Sequence, residues 1–309
     1  MAPPDTWPRP VVEPTLQPPA IPDDPAAHWP ELRRVGTRMP LREYLAEVWR
    51  RREFAVTVPL GELRAQNQDT ALGQVWHLLN PLLLIGIYFF IFEVILQIEQ
   101  RRGIDNYLAF LAVGVITYNY TRRSVQSGAR MIVKNRKLVQ SINFPRAILP
   151  ASAMVAETIA HLYALPVMFI MVLLAPGGLF EPDGLRPMWT WVLIVPVLGV
   201  HLLFNLGIAM ITARIAFHFR DVQQFLPYLL RLGLYASGVL IPLSIVPQPT
   251  IRRILELNPV YNIIEMTRDV VLGGALQPRV WLLGCGWTAA VFVFGFWYFR
   301  RAEHEYGDV

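Results

Sequence analysis

The stretch VWLLGCGWTAAVFVFGFWYF, from Val280 to Phe299, runs for twenty residues without an Asp, Glu, Lys or Arg. A helix rises about 1.5 Å per residue, so such a run reaches about 30 Å, the thickness of a bilayer's hydrocarbon core. A chargeless segment of that length reads as a membrane span. Its flanks agree, with Arg279 before it and Arg300 and Arg301 after it.

Four further segments of this character lie upstream: Val75–Ile98, Ala147–Ala175, Trp189–Ala213 and Phe225–Val246. A sixth, Ile104–Tyr120, is shorter, begins with Asp105 and Asn106, and taken alone reads equally as a re-entrant segment. The whole chain has the matching composition. Of its 309 residues 54% are hydrophobic and only 17% charged, with a mean hydropathy of +0.36. Soluble domains carry about a quarter charged residues, so these values count against a soluble protein and against a disordered one.

The net charge of +5 and pI near 9.5 raise the question of a polyanionic partner. The positions of the basic residues answer it. With six spans and both chain ends in the cytoplasm, 20 of the 28 Lys and Arg residues lie inside and 7 outside, with Arg231 within the fifth span. Membrane proteins show this inward bias. Five spans would place the C-terminus outside and weaken it. The expected fold is therefore an all-α membrane protein with six transmembrane helices, multi-pass in the cytoplasmic membrane.

The N-terminal side is different. Ten prolines fall in the first 30 residues, and proline removes backbone donors and fixes φ. Residues 1–35 read as a disordered tail, with a proline-rich docking segment as the alternative. Residues 36–74 read as a cytoplasmic region built on an amphipathic helix, and residues 75–309 as the transmembrane domain. Leu41, Tyr44, Leu45, Val48 and Trp49 share one helical face bordered by arginines, which suits the membrane interface. Packing on a soluble core is the plainer alternative. Between the fifth and last spans, Pro247, Pro249 and Pro259 cut a moderately apolar stretch into short pieces that suit re-entrant helices.

No motif for catalysis emerges. There is no G-x-x-x-x-G-K-[ST], G-x-S-x-G or H-E-x-x-H, and the single cysteine, Cys285, fits no metal-ligand set. Inside the spans, Glu157 and His161 stand four apart, as do His201 and Asn205. Each set is either a functional polar pair or a bond that holds the bundle together. Arg231 calls for a carboxylate or a water-filled surface. Trp76, Trp189, Trp191, Trp281 and Tyr298 sit where interface anchors belong. Tyr88, Phe89, Phe92, Phe110, Tyr118, Tyr228 and Tyr235 lie deeper, either as packing or as a slide for the apolar faces of sugar rings.

Four segments resemble one family. They are GELRAQNQDTALGQVWHLLNPLL (Gly61 to Leu83), YLAFLAVGV with NRKLVQSINFPRAILP (Tyr107 to Pro150), FHFRDVQQFLPYLL (Phe217 to Leu230) and ELNPVYNIIEMTRDVVLGG (Glu256 to Gly274). In this order on six spans they resemble the permease of type-2 ABC exporters, in the polysaccharide branch called Wzm-like. The resemblance implies a non-catalytic permease that forms a homodimer and associates with two copies of a separate ATPase, which holds the ATP and Mg. It implies a lipid-linked polysaccharide as substrate. The segment from Val133 to Ile142, ahead of Phe144-Pro145-Arg146, is similar to the coupling helix seated on the ATPase, which gives Val133, Asn135, Leu138, Val139, Ile142, Phe144, Pro145 and Arg146 that role. Residues 41–67 resemble the gate helix, where Arg51, Arg52 and Arg64 would meet a lipid diphosphate. The conduit would draw on the deeper aromatics and Arg231. Glu93, and Arg122 with Arg123 after the second span, depart from the family pattern. The arginine-rich, lysine-poor composition makes actinobacterial galactan the expected glycan, with O-antigen and teichoic acid as alternatives. The rival readings are a drug or lipid ABC permease, a proton-coupled transporter and a membrane glycosyltransferase.

Overall fold

The computed structural model describes residues 40–51, 53, 56–57, 61, 72–102, 106–141, 144–175, 189–273, 276–303 and 305–307. They are helical and turn-like, with no strand among them. Helix α1 covers Leu41–Arg50. Helix α2 covers Trp76–Phe89 and continues as a π-helical turn over Phe90–Ile95. The short α3 is Ile98–Arg102. Then come α4, Tyr107–Lys134, α5, Arg136–Ser141, and α6, Ile148–Leu174. A 3-10 turn at Trp189–Leu193 leads into α7, Ile194–His218, followed by α8, Val222–Ala236. Two short helices, α9 at Pro249–Glu256 and α10 at Pro259–Val271, precede α11, Pro278–Arg301.

Four helices among the described residues are long and apolar enough to cross a membrane: 78–95, 148–174, 189–218 and 278–301. They correspond to four of the expected spans, with ends shifted by a few residues. The other two expected spans depart further. Ile104–Tyr120 becomes the 28-residue α4, which runs well past Tyr120 to Lys134. It starts where Asn106, in the left-handed region at φ 55°, accepts the Ala109 N–H at 3.1 Å. No proline interrupts it, and beyond Asn119 other helices meet Tyr120, Thr121 and Arg123 with hydrogen bonds or an ion pair, so nothing stops it at Tyr120. Phe225–Val246 is helical only as far as Ala236. Gly238 at φ 61° ends that helix, and Pro242 and Pro247 keep the following stretch irregular. That stretch is nonetheless buried at Ser237, Val239, Leu240 and Leu243.

The packing logic is that of close helix contact through small residues. A Cβ on Gly207 of α7 would lie 2.7 Å from Phe292 Cα of α11, and one on Gly295 would collide with the Gly207 carbonyl. On the other side of α7, a Cβ on Gly128 of α4 would sit 2.6 Å from Ala209 Cα. Helix α7 is thus clasped between α4 and α11 at backbone distance. Gly199, also on α7, faces open space. Gly199→Ala should therefore be neutral or stabilising by up to about 1 kcal/mol through helix propensity. Gly207→Ala should instead lower stability by about 1–3 kcal/mol through overpacking. Thermal unfolding of the purified protein in detergent reads the two opposite signs.

Helix α1 places Tyr44 in the core (3% exposed) and leaves Trp49 70% exposed. Its apolar face is therefore divided, one part packed on the bundle and one part open. Trp191 and Trp281 are engaged as donors at the C-terminal end of α10. Trp191 Nε1 donates to Val271 O at 3.1 Å, and Trp281 Nε1 to Asp269 Oδ2 at 3.2 Å. Glu93 Oε2 accepts the N–H of Glu99 at 2.9 Å, which caps α3 and gives that departure a local structural purpose.

Candidate functional site

Helix α4 organises two polar sites, on different faces, and a third lies at one end of the bundle. Toward α6 and α7, Tyr120 stacks on His161 with ring centroids 4.5 Å apart, and His201 meets it edge-on at 4.6 Å. Thr121 and His201 share a hydrogen bond of 2.7 Å, as do Tyr120 and Thr158. Glu157 is held by Arg123 of α4 at 2.7 Å. The expected Glu157–His161 pair is thus resolved into two separate arrangements, an ion pair across helices and an aromatic stack. His201 likewise bonds Thr121 and not Asn205. A small polar cavity opens beside them, lined among others by Asn80, Asn119, Arg123, Glu157 and His161.

Toward α8, the Tyr118 hydroxyl donates to Leu230 O in a short bond. A Cβ on Gly233 would lie 2.7 Å from that hydroxyl, so the glycine makes room for it. Tyr88 on α2 lies within electrostatic reach of Arg122, Arg231 and Tyr235. The structure therefore gathers Tyr88, Tyr118, Arg231 and Tyr235 at one seam between α2, α4 and α8. Tyr235 is 58% exposed there, and Tyr228, also on α8, is 70% exposed. Phe89 and Phe92 are half-buried against the core on α2. Phe110 stands apart, because the Arg268 guanidinium covers its ring at 3.5 Å.

Arg268 is a residue that the sequence reading missed. It is 5% exposed, donates to Gly238 O and Glu265, and fixes the irregular stretch after α8 against α4. A Cβ on Gly114 would lie 2.7 Å from its Nη2, so Gly114 of the YLAFLAVGV segment makes room for this guanidinium. Arg122, Arg123 and Asn119 were also missed as partners. The signal available for α4 was the series Thr117, Thr121, Ser124 and Gly128, small residues at i, i+4, i+7 and i+11, which marks a closely packed helix face.

The third site is at the end of the bundle where α1, α5 and α11 meet. Glu303 Oε1 accepts the Tyr44 hydroxyl at 3.0 Å and the Arg146 N–H at 2.7 Å, and Tyr44 accepts the Ala147 N–H at 3.2 Å. The Arg146 guanidinium donates to Glu303 O. One carboxylate thus ties the N-terminal helix, the elbow before α6 and the C-terminal segment. Around it, Val139 is 3% and Phe144 8% exposed, Pro145 is buried, and Asn135 folds back on Met131 O at 2.9 Å. Of the expected coupling residues whose side chains are described, Val133 is the one that faces outward, at 43%. The Leu138 side chain and Ile142 lie outside the described residues. So do Arg52 and Arg64, while Arg51 pairs with Glu47 at 2.7 Å.

Burial pushes the Glu303 carboxyl up, and the Arg146 N–H, the Tyr44 hydroxyl and the Arg146 charge oppose that shift. An acid raised in the folded state contributes stability below its unfolded pKa and loses it as pH rises through the folded value. Glu303→Gln keeps an accepting oxygen and removes this titration. It is expected to stay within about 0.5 kcal/mol of the parent at neutral pH. Glu303→Ala strands the Tyr44 hydroxyl and the Arg146 N–H and is expected to cost about 1–3 kcal/mol. Unfolding midpoints measured across pH 5 to 8 on the order of one unit apart check both the offset and the lost pH slope.

Residues 60–272 match the sequence profile of the family described as ABC-2 type transporter. The chain is 31% identical over 219 residues to the O-antigen export system permease protein RfbA of Myxococcus xanthus, covering 71% of this chain and 80% of the relative. It is 24% identical over 226 residues to the protein of the same name from Klebsiella pneumoniae, covering 73% and 82%. It is also 24% identical over 230 residues to the polysialic acid transport protein KpsM of Escherichia coli, covering 72% and 82%.

Proposed function

The chain belongs to the ABC-2 type transporter family, and from that premise we propose that it is the membrane-spanning permease of an ATP-driven exporter of lipid-linked polysaccharide. The observation that carries the transport reading is the seam between α2, α4 and α8. It combines exposed tyrosines with two arginines at membrane depth, where ionisable side chains mark substrate paths. Two copies of the permease would face each other across these surfaces and enclose a conduit lined by Tyr88, Phe89, Phe92, Tyr118, Tyr228, Arg231 and Tyr235, with Phe110 at its margin. ATP and Mg belong to a separate ATPase, present in two copies.

Six crossings with both ends in the cytoplasm fit the charge partition, which is 18 inside against 7 outside once Arg122 and Arg123 are counted with Arg231 inside the spans. Helix α4 needs less apolar surface than a lipid-facing helix because protein covers most of it. Helix α8, with 15 residues, spans only about 22 Å. The buried irregular stretch after it completes the crossing, as non-helical backbone at membrane depth must be enclosed by protein. On this topology α1 and the Glu303 tie lie on the cytoplasmic side, and α9 and α10 outside. The lipid diphosphate would meet Arg51, Arg52 and Arg64 at the inner leaflet. Galactan is the specific glycan we propose.

The test is copurification and depletion. The tagged permease should bring down a chain with a phosphate-binding loop, and depletion should leave the lipid-linked glycan in the cytoplasmic leaflet. A complex without an ATPase, or an unchanged outer-face glycan, would sink the proposal. Galactan in particular is tested by which sugar accumulates.

A further inference from the structure

The arginines of the bundle differ in how their charge is met. Arg123 has Glu157 at 2.7 Å, and Arg268 has Glu265 at 2.6 Å. Arg214 stacks on Tyr298 at 4.0 Å and donates to that residue's carbonyl. Arg122 and Arg231 have no carboxylate within ion-pair distance among the described residues. Arg122 lies midway along α4 and is half-buried. Its Nε and Nη2 donate to Asn119 Oδ1 at 3.0 and 2.6 Å. That amide fixes the direction of the guanidinium without neutralising it, and leaves three of five N–H groups for another acceptor. Arg231 is exposed on α8.

Tyr118 links the two helices that carry them. Tyr118 stands one turn from Arg122 on α4, and its hydroxyl bonds the carbonyl of Leu230, which directly precedes Arg231. Tyr88 on α2 lies within electrostatic reach of both. A cation at membrane depth is costly unless something compensates it. Here two cations share one seam, and one of them is oriented by the Asn119 side chain, which among the described residues bonds that guanidinium alone.

We propose that Arg122 and Arg231 form an oxyanion subsite inside the transport path, with Asn119 as the positioning residue of Arg122. Its ligand is a phosphate or carboxylate group of the substrate, gripped by charge-assisted guanidinium hydrogen bonds. This rests on the permease reading above. The subsite is built on α4 and α8 at membrane depth, whereas Arg51 belongs to α1. Two sources supply such a group, the diphosphate of the lipid carrier or acidic sugars of the glycan.

The experiment uses the permease–ATPase complex in nanodiscs and three probes: a short polyprenyl diphosphate, the matching uncharged polyprenol, and a lipid-free acidic oligosaccharide. Apparent Kd is measured for the parent, Arg122→Gln, Arg231→Gln, Arg122→Lys and Arg253→Gln, the last removing a charge from α9. An anionic probe should bind the parent in preference to polyprenol and lose roughly tenfold or more in affinity in either Gln variant. Arg122→Lys should recover part of that loss, and Arg253→Gln should match the parent. Loss confined to the diphosphate identifies the carrier as the source, and loss confined to the oligosaccharide identifies the glycan. Equal binding of every anionic probe by parent and Gln variants overturns the subsite. So does a parent that shows no preference for charge. In either case the copurification and depletion results decide the permease reading independently.

Discussion

Glu157→Ala is expected to lower the stability of the bundle by about 3 kcal/mol, and the double variant Arg123→Met with Glu157→Met to restore most of it. The two side chains are 32% and 15% exposed, so neither is held in open water. Removing the carboxylate leaves the Arg123 guanidinium facing the same small cavity with its counter-charge gone. Two oppositely charged groups taken out of water cost desolvation energy, and their attraction roughly offsets that cost. The pair is therefore worth little against an apolar pair of similar volume, while half of it is costly. The neighbours sharpen the effect. His161 and His201 lie on the same side of α4 and add no acidic partner, and their stack on Tyr120 is set by the same α4–α6 contact. A double-mutant cycle on thermal unfolding in detergent reads the coupling. A single variant as stable as the parent would show that the ion pair is incidental. A double variant no better than the single would show that the site needs charge for a reason other than folding.

That pair also marks where the sequence stops being informative. The third, fourth and last spans were legible because their apolar length is a local property, and their ends fall within a few residues of those expected. The extent of α4 was not. Asn119, Arg122 and Arg123 look like the end of a span until Glu157 of α6 is known to meet Arg123, and that is a non-local fact. The fifth span failed in the opposite direction. Residues 237–246 are as apolar as a helix in lipid, yet Gly238 and two prolines set their backbone, and burial against α4 and α10 stabilises the irregular path. Arg268 was hidden for the same reason, since its partners are carbonyls of that irregular stretch. Among the candidate site residues, Tyr88, Tyr118, Arg231 and Tyr235 share a place in space, which helical spacing on any one segment does not reveal. Glu157 and His161 share a helix face and still take different partners, because each is closer to a side chain of another helix.

Val133→Asp combined with Lys137→Glu is expected to abolish glycan-stimulated ATP hydrolysis in the complex with little change in the stability of the permease, whereas Phe144→Asp is expected to prevent folding. The resemblance assigns all of these positions to one coupling segment, and the structure separates them. Phe144 and Val139 are buried in the cluster that holds Tyr44, Phe299 and Tyr306. A carboxylate at Phe144 would be an unpaired charge in that cluster, and the desolvation cost of an isolated buried charge far exceeds what a marginally stable bundle supplies. Loss of export in that variant would therefore report folding, not coupling. Val133, in the last turn of α4, and Lys137, in the first turn of α5, are exposed on either side of the turn between these helices, and exposed substitutions away from packed features stay within about 0.5 kcal/mol. This turn is also mechanically placed. The Tyr44–Glu303–Arg146 tie fixes the elbow between α5 and α6 to α1 and to the C-terminal segment, so force applied at the turn is carried to three elements together. Charge reversal on a docking surface disfavours the correct partner through like-charge contact, and a loss of about 1.4 kcal/mol at that contact already costs tenfold in affinity. The decisive measurement pairs the melting temperature of each purified variant with its ATPase stimulation by glycolipid. A folded Phe144→Asp variant, or a Val133→Asp/Lys137→Glu variant that keeps full stimulation, would show that the ATPase engages a different face of this segment.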